Sequence, residues 1–158
     1  MKVGSGLEAG VSIGPMINRA AVEKIERHVT DALAKGATIA ARAETPEGSQ
    51  FAAPLVLTGC TTQMQLAEEE TFGPVAPLFR FETEEEAVAI ATDTPFGLAA
   101  YFYTRDMARA WRVGEALESG MVGLNTGAIS MAVSPFGGVK QSGLGREGAR
   151  EGIEEYLE

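Results

Sequence analysis

The sequence predicts an α/β protein in which helices flank a mostly parallel sheet, with residues 1–158 in one domain. Two observations predict this class. Apolar segments of strand length alternate with segments of helical periodicity, and turn-forming residues separate most of them. Strands that alternate with helices favour parallel pairing, because each helix provides a crossover connection. With 158 residues and an apolar fraction of 45%, the chain can bury a hydrophobic core.

The first predicted helix begins after Asn18, a good N-cap residue, and ends near Lys35, where Gly36 supplies the stop. Its apolar face is formed by four residues at helical spacing: Val22, Ile25, Val29 and Leu33. The only histidine, His28, lies on the same helix and is interpreted as a surface residue. Two strands are predicted next, at residues 37–41 and 55–58, with a polar loop at residues 45–50 between them.

The second half of the chain repeats the alternation. Thr83 and Glu86 have the spacing of a capping box, which predicts a helix that ends near Thr92. Asp106 is the expected cap of a second helix, which runs to about Ser119. Strands are predicted at residues 75–81, 98–103 and 121–124. The remaining segments are predicted as a turn at 94–97, a loop at 125–145 and a short helix near 147–153.

Composition argues against several classes of protein. A net charge of −9 makes nucleic acid an unfavourable partner, because the surface repels phosphate. The chain has no apolar run of the roughly 18 residues that suggest a membrane span, and its start lacks the apolar core of a signal peptide. A single cysteine permits no intrachain disulfide. Because the chain also has only one histidine, a Cys/His zinc site is disfavoured. We therefore expect a cytoplasmic protein without a metal site.

Two short glycine patterns resemble dinucleotide-binding loops. Residues 143–148 read GLGREG, but the polar residues 140–142 precede them, and the chain ends before the acidic residue that such a site needs. Residues 4–9 match a looser form of the pattern with only three residues before it. Neither pattern has the strand, turn and helix of a phosphate loop, so neither is assigned to cofactor binding.

Longer segments carry a more specific signal. The sequences EEETFGPV at 68–75, FGLAAYFYTRD at 96–106 and SPFGGVKQSGLGREG at 134–148 resemble the C-terminal third of the aldehyde dehydrogenase superfamily. The opening segment VGSGLEAGVSIGPM at 3–16 fits the same order and spacing. NTGAIS at 125–130 and GIEEYL at 152–157 are most similar to succinate-semialdehyde dehydrogenases. The resemblance implies that the chain is part of an aldehyde dehydrogenase catalytic domain, truncated at both ends.

The resemblance also implies a chemistry. Enzymes of this family attack the aldehyde with a thiolate, transfer a hydride to NAD or NADP and hydrolyse the resulting thioester. Their nucleophilic cysteine and general-base glutamate precede the matched region, so we expect no catalytic residue in this chain and no activity from it alone. Cys60 stands where the family has no catalytic thiol, and nothing near it in sequence would lower its pKa. An alternative is a non-catalytic truncated subunit or binding domain that associates with a full-length partner.

Two residues are candidates for cofactor binding. Glu70 matches the family glutamate that accepts hydrogen bonds from the nicotinamide ribose, and Phe72 matches the aromatic residue that packs near the nicotinamide ring. From the residues alone, Glu70 could instead be a solvated member of an acidic run, as Glu68 and Glu69 are interpreted to be, and Phe72 could be a core residue. The choice between NAD and NADP stays open.

Two further residues are candidates for substrate binding. Ser130 and Phe136 match the family's substrate-tunnel positions, and a serine at the first position suggests a polar tail such as the succinate-semialdehyde carboxylate. The alternatives are a loop serine without a ligand and a packing phenylalanine. Gly137 and Gly138 are expected to shape the loop that carries Phe136. Structural roles are favoured over anion binding for two basic residues, Lys140 and Arg146.

The resemblance implies a homo-oligomer that takes a small-molecule aldehyde. In the family a C-terminal strand joins the sheet of a neighbouring subunit, and here that strand is expected to begin at about residues 155–158. Succinate semialdehyde is the expected substrate, with a homologous semialdehyde left open.

Overall fold

A computed structural model describes residues 1–48 and 50–157. The chain divides into two compact units, residues 1–80 and residues 81–158, where the sequence predicts one domain. Each unit contains both helices and paired strands, so the α/β class is confirmed. Among the helices of the described residues, none is both long and apolar enough to cross a bilayer.

Among the described residues, the first unit contains a three-stranded sheet and two helices. Their bounds are α1 Arg19–Ala34, β1 Thr38–Arg42, β2 Leu55–Cys60, α2 Gln65–Glu68 and β3 Val75–Phe79. Strand β2 lies in the middle of the sheet, where it pairs antiparallel with β1 and parallel with β3. Two side chains are almost completely buried beside this sheet, Leu57 from β2 and Met64 from the turn before α2.

Helix α1 begins and ends as its caps predict. The Asn18 side chain accepts a hydrogen bond from the backbone N–H of Ala21 at 2.9 Å, and Gly36 follows the helix with a left-handed φ of 99°. The predicted buried face is shifted, because Leu33 is 41% exposed and Ala32 is buried. The interpretation of His28 as a surface residue is wrong, since its side chain is completely buried.

In the second unit, residues 81–157 form two helices, four short strands and a terminal 3₁₀ helix. Their bounds are α3 Glu84–Thr92, β4 Phe96–Gly97, β5 Ala99–Phe102, α4 Met107–Ala116, β6 Met121–Leu124, β7 Val139–Lys140 and a 3₁₀ helix at Glu151–Tyr156. Strands β5 and β6 pair in parallel, whereas β4 and β7 pair antiparallel. Across both units parallel and antiparallel pairs therefore occur equally often among the described strands.

Side chains define how α3 and α4 begin and how they contact each other. Thr83 accepts a hydrogen bond from the N–H of Glu86, as a capping box predicts, and Asp106 accepts one from the N–H of Arg109. The Glu84 carboxylate accepts hydrogen bonds from Arg109 and Arg112 on α4, both with a shortest distance of 2.6 Å. These ion pairs hold the pKa of Glu84 at about 2, well below 4.5.

Three predictions about the second unit need correction. Helix α4 ends at Ala116 rather than near Ser119. Phe96 and Gly97 belong to a strand, because their backbone pairs with β7 from the predicted loop. The terminal helix is a 3₁₀ helix that includes Glu155 and Tyr156, where the sequence predicts the start of a strand. Leu157 alone has extended backbone there, and Glu158 lies outside the described residues. Pairing of this end with another copy stays a prediction.

Candidate functional site

The segment of residues 69–74, called here the anchored segment, lies between α2 and β3 against side chains of α1. His28 bonds two of its residues, through Nε2 to the Glu69 carboxylate at 3.1 Å and through Nδ1 to the Thr71 hydroxyl at 3.0 Å. Arg27 adds a second contact to Glu69 at 3.3 Å. Lys24 donates from Nζ to the backbone carbonyl of Glu70. Three basic side chains on one face of a helix therefore hold three consecutive residues of the segment.

Glu70 and Phe72 lie on this segment with exposed side chains. The Glu70 carboxylate makes no hydrogen bond or ion pair to the described residues, and its backbone carbonyl is the part of the residue that Lys24 holds. Phe72 is 78% exposed, which excludes the core-residue alternative within this chain. Its backbone has a left-handed φ of 52°, a conformation that costs a non-glycine residue about 1–2 kcal/mol. The chain therefore bends sharply where Phe72 is displayed.

Glycine and proline fix the end of the anchored segment. The carbonyl of Pro74 accepts a hydrogen bond from the N–H of Leu55 at 3.0 Å, which begins the pairing of β3 with β2. Gly73 lies so close to α1 that an added Cβ would stand 2.4 Å from Cδ1 of Ile25. The close approach brings the backbone of the segment within reach of the side chains of α1.

Charge stabilises the contact between α1 and the anchored segment. The hydrogen bond from His28, followed by smaller contributions from the charges of His28 and Arg27, lowers the pKa of Glu69 below 4.5. Glu69 is half exposed to solvent, as its interpretation as a solvated residue predicts, but its carboxylate also bonds His28 and Arg27. The sequence does contain a signal for the burial of His28. This residue lies three positions after Ile25 and four before Ala32, and both of these are buried on the same face of α1.

The second unit places Ser130 and Phe136 beside a cleft of about 600 Å³. Residues on both sides of Ser130 line the cleft, namely Ile129 and Met131, and so does Pro135 before Phe136. Ser130 itself is exposed and its hydroxyl has no partner among the described residues, while Phe136 is half-buried. Neither candidate lines the cleft directly. The structure therefore places both residues at its margin.

Backbone contacts shape the loops around this cleft. Asn125 has a left-handed φ of 54° and bonds both backbone groups of Thr104, accepting from its N–H at 2.9 Å and donating to its carbonyl at 2.8 Å. Phe136 exchanges two backbone hydrogen bonds with Glu147 at 2.8 and 2.7 Å. Gly120 lies against Gly137, whose carbonyl oxygen would stand 2.1 Å from an added Cβ. The loop positions depend on these close approaches.

The basic residues of the glycine-rich segment, residues 134–148, have structural partners. Lys140 donates to the carbonyls of Thr92 and Thr94 and pairs with Glu118. Arg146 donates from Nη1 to the carbonyls of Gly138 and Gly145 at 3.0 and 2.6 Å. Structural roles are therefore confirmed for both residues.

The remaining candidates offer no reactive group. Cys60 is a free thiol that is buried at the end of β2, and burial raises its pKa, which disfavours the thiolate that a nucleophile requires. The GLGREG pattern at residues 143–148 follows the two-residue strand β7 across a turn and precedes the 3₁₀ helix. This differs from the strand, turn and α-helix of a phosphate loop. Within residues 1–48 and 50–157, no three His, Cys, Asp or Glu side chains converge as metal ligands would.

Comparison with known proteins gives one consistent match. The profile described as the aldehyde dehydrogenase family matches residues 1–158. The chain is 58% identical to the 3-sulfolactaldehyde dehydrogenase of Pseudomonas putida and 55% identical to the NADP-dependent succinate-semialdehyde dehydrogenase GabD of Escherichia coli K12. It spans 33% of the length of each of these relatives and is matched over its whole length.

A solved structure shows the same arrangement. The crystal structure of an aldehyde dehydrogenase from Brucella melitensis biovar abortus 2308 superposes on the whole chain with a TM-score of 0.96 at 61% sequence identity. The chain covers 32% of that protein.

Proposed function

The chain belongs to the aldehyde dehydrogenase family, and we propose that it supplies the nicotinamide-ribose contact and a margin of the aldehyde site in an NAD- or NADP-dependent aldehyde dehydrogenase. Because the chain spans about a third of its curated relatives, the activity is assigned to a protein of the relatives' length that carries it, called here the full-length protein. Bound cofactor accepts the hydride when such a protein oxidises an aldehyde to a carboxylate.

The observation that carries this proposal is the exposed, unpartnered carboxylate of Glu70 on a segment whose neighbouring residues are fixed. Glu69 and Thr71 both bond His28, whereas the side chain of Glu70 bonds none of the described residues. An ionised carboxylate only accepts hydrogen bonds, which suits the hydroxyl donors of a ribose. Phe72, 78% exposed beside it, offers an aromatic surface for the nicotinamide ring.

We further propose that the substrate is a small aldehyde with an anionic tail, with succinate semialdehyde as the first candidate. The two relatives named above act on 3-sulfolactaldehyde and succinate semialdehyde, whose tails are a sulfonate and a carboxylate. Ser130 supports this class, because its exposed hydroxyl beside the cleft is free to donate to an anion.

Cys60 is not the nucleophile in this proposal. Its thiol is buried and its pKa is raised, so the reacting sulfur has to come from another part of the full-length protein. Replacing Cys60 by Ser in the full-length protein should leave the rate of NAD(P)H formation within about twofold of the unaltered enzyme, since only buried packing changes. A loss of all turnover with folding intact would move the nucleophile to Cys60.

Substitution of Glu70 tests the proposal. Glu70→Gln in the full-length protein should slow hydride transfer about 10- to 100-fold, because a charge-assisted hydrogen bond contributes about 1.5–3 kcal/mol and each 1.4 kcal/mol is tenfold in rate. Single-turnover NAD(P)H formation measures that step. Glu68→Gln is the matched control, since Glu68 is an exposed glutamate two residues away on α2. Equal rates in the two variants would refute the role of Glu70.

We also propose that the full-length protein is a cytoplasmic homo-oligomer. Three apolar side chains near the C-terminus support an interface there, since Ile153, Tyr156 and Leu157 are 59%, 85% and 65% exposed. The single free cysteine fits a reducing compartment. Light scattering of the full-length protein, with Tyr156→Lys as the interface variant, measures the assembly state.

A further inference from the structure

We propose that His28 is a positioning residue for Glu70, holding the side chains of the residues on both sides of it so that the Glu70 carboxylate faces the cofactor. The inference rests on the proposed function of Glu70 as the ribose ligand. His28 itself touches neither cofactor nor substrate in this account and acts only through the anchored segment.

The geometry of His28 carries the inference. Its side chain is completely buried, and both ring nitrogens are used, one by the residue before Glu70 and one by the residue after it. These partners are 41 and 43 residues away in sequence, so the contacts join α1 to a distant segment. A buried polar group needs partners for each of its hydrogen-bonding atoms, which makes both contacts costly to remove.

The direction of the bond to Glu69 follows from the partner group. A carboxylate only accepts hydrogen bonds, so Nε2 of His28 carries a hydrogen and donates it to Glu69. The Thr71 hydroxyl can both donate and accept, so its contact with Nδ1 of His28 is a hydrogen bond in either direction. One ring therefore satisfies both neighbours of Glu70 at once.

Fixing these neighbours fixes the direction of Glu70. Glu69 has extended backbone, with φ −98° and ψ 124°, and in extended chain consecutive side chains point to opposite sides. Because the side chains of Glu69 and Thr71 both reach His28, the side chain of Glu70 between them points away from α1. Lys24 holds the Glu70 carbonyl from the same helix, which completes the contacts.

The alternative is that His28 is only a core histidine with satisfied hydrogen bonds, which would affect stability but not cofactor binding. Three variants of the full-length protein separate the two roles. His28→Phe keeps a ring and removes both hydrogen bonds, and His28→Gln restores one donor and one acceptor. Asp31→Asn is the matched control, because Asp31 also joins α1 to α2, through the N–H of Gln65, without touching the anchored segment.

Binding is measured with NADH and NADPH and with ADP or its 2′-phosphorylated form, which lacks the nicotinamide ribose. A positioning role predicts that His28→Phe weakens binding of the preferred reduced cofactor about fivefold, equivalent to about 1 kcal/mol at 1.4 kcal/mol per tenfold change. Binding of the ADP probe stays unchanged, and His28→Gln recovers most of the loss. Asp31→Asn lowers Tm without changing the affinity for either probe. If His28→Phe does not fold, Thr71→Val replaces it as the weakened variant, because it removes the bond to Nδ1 of His28.

A double variant gives the second readout. If His28 acts through Glu70, adding His28→Phe to Glu70→Gln weakens NADH or NADPH binding no further, because the two residues serve one contact. Additive losses, or equal weakening of the cofactor and the ADP probe, would overturn the positioning role. The proposed function fails separately if the unaltered full-length protein binds neither NADH nor NADPH, or if Glu70→Gln binds the cofactor as tightly as the unaltered protein.

Discussion

The anchored segment, residues 69–74, and the glycine-rich segment, residues 134–148, carry candidate ligand residues but are held in different ways. Side chains of α1 hold the first, through the bonds of His28 and Arg27 to Glu69 and of His28 to Thr71. Mainly backbone groups hold the second, through the isolated bridge between Phe136 and Glu147 and the close approach at Gly120, while the Arg146 side chain adds a bond to the carbonyl of Gly138. Side-chain anchoring can be altered by charge, whereas backbone anchoring depends on the absence of a Cβ.

The largest expected effect follows from the backbone-held segment. Gly120→Ala should lower the free energy of unfolding by about 3 kcal/mol, because its Cβ would stand 2.1 Å from the carbonyl oxygen of Gly137, and backbone cannot move aside cheaply. Urea unfolding measures the change. Gly114→Ala on α4 is the control, since an added Cβ has no neighbour within 4 Å there, and it should stabilise by about 0.5–1 kcal/mol. If both variants were equally stable, backbone anchoring of the second segment would be wrong.

A smaller effect is expected at the equivalent close approach in the anchored segment. Gly73→Ala should cost about 1–2 kcal/mol in unfolding free energy, because the nearest atom is the terminal Cδ1 of the Ile25 side chain at 2.4 Å. Adding Ile25→Val removes that atom, so the double variant should recover part of the loss. The same urea titration measures both proteins. No recovery would mean that this contact is as rigid as the one at Gly120.

The smallest effect concerns a side-chain contact inside the second unit. Paired with Arg112 and Arg109, Glu84 has a pKa of about 2, lowered from 4.5, so its contribution to stability is present above pH 4.5 and is lost as pH falls towards 2. Glu84→Gln should therefore lower Tm by a few degrees or less at pH 7, with the difference disappearing near pH 2. Calorimetry at several pH values measures it. A Tm difference that persists unchanged at pH 2 would contradict the ion-pair explanation.

Local sequence predicted much of the fold. The caps at Asn18, Thr83 and Asp106 were predictable because each side chain bonds a backbone N–H three residues later. The pairing of Phe96 and Gly97 with β7 was not, because their partners lie more than forty residues further along the chain. Short segments of this kind have no periodicity that distinguishes a strand from a turn.

The candidate site, like the fold, could be predicted from the sequence only in part. The motif at residues 68–75 predicted Glu70 and Phe72 as candidates for cofactor binding, and both side chains are exposed on one short segment. The burial of His28 has a local signal in its helical spacing from Ile25 and Ala32, but the pairing of Glu69 could not be predicted from neighbouring residues, since His28 and Glu69 are 41 residues apart. The roles of Ser130 and Phe136 at the substrate stay predictions.

A crystal structure of the full-length protein with bound NAD or NADP tests the central claim most directly. The account predicts that at least one carboxylate oxygen of Glu70 lies within hydrogen-bond distance of the nicotinamide ribose hydroxyls. It also predicts that His28 is still bonded to Glu69 and Thr71. A nicotinamide ribose bound by other residues, with Glu70 pointing into solvent, would contradict it.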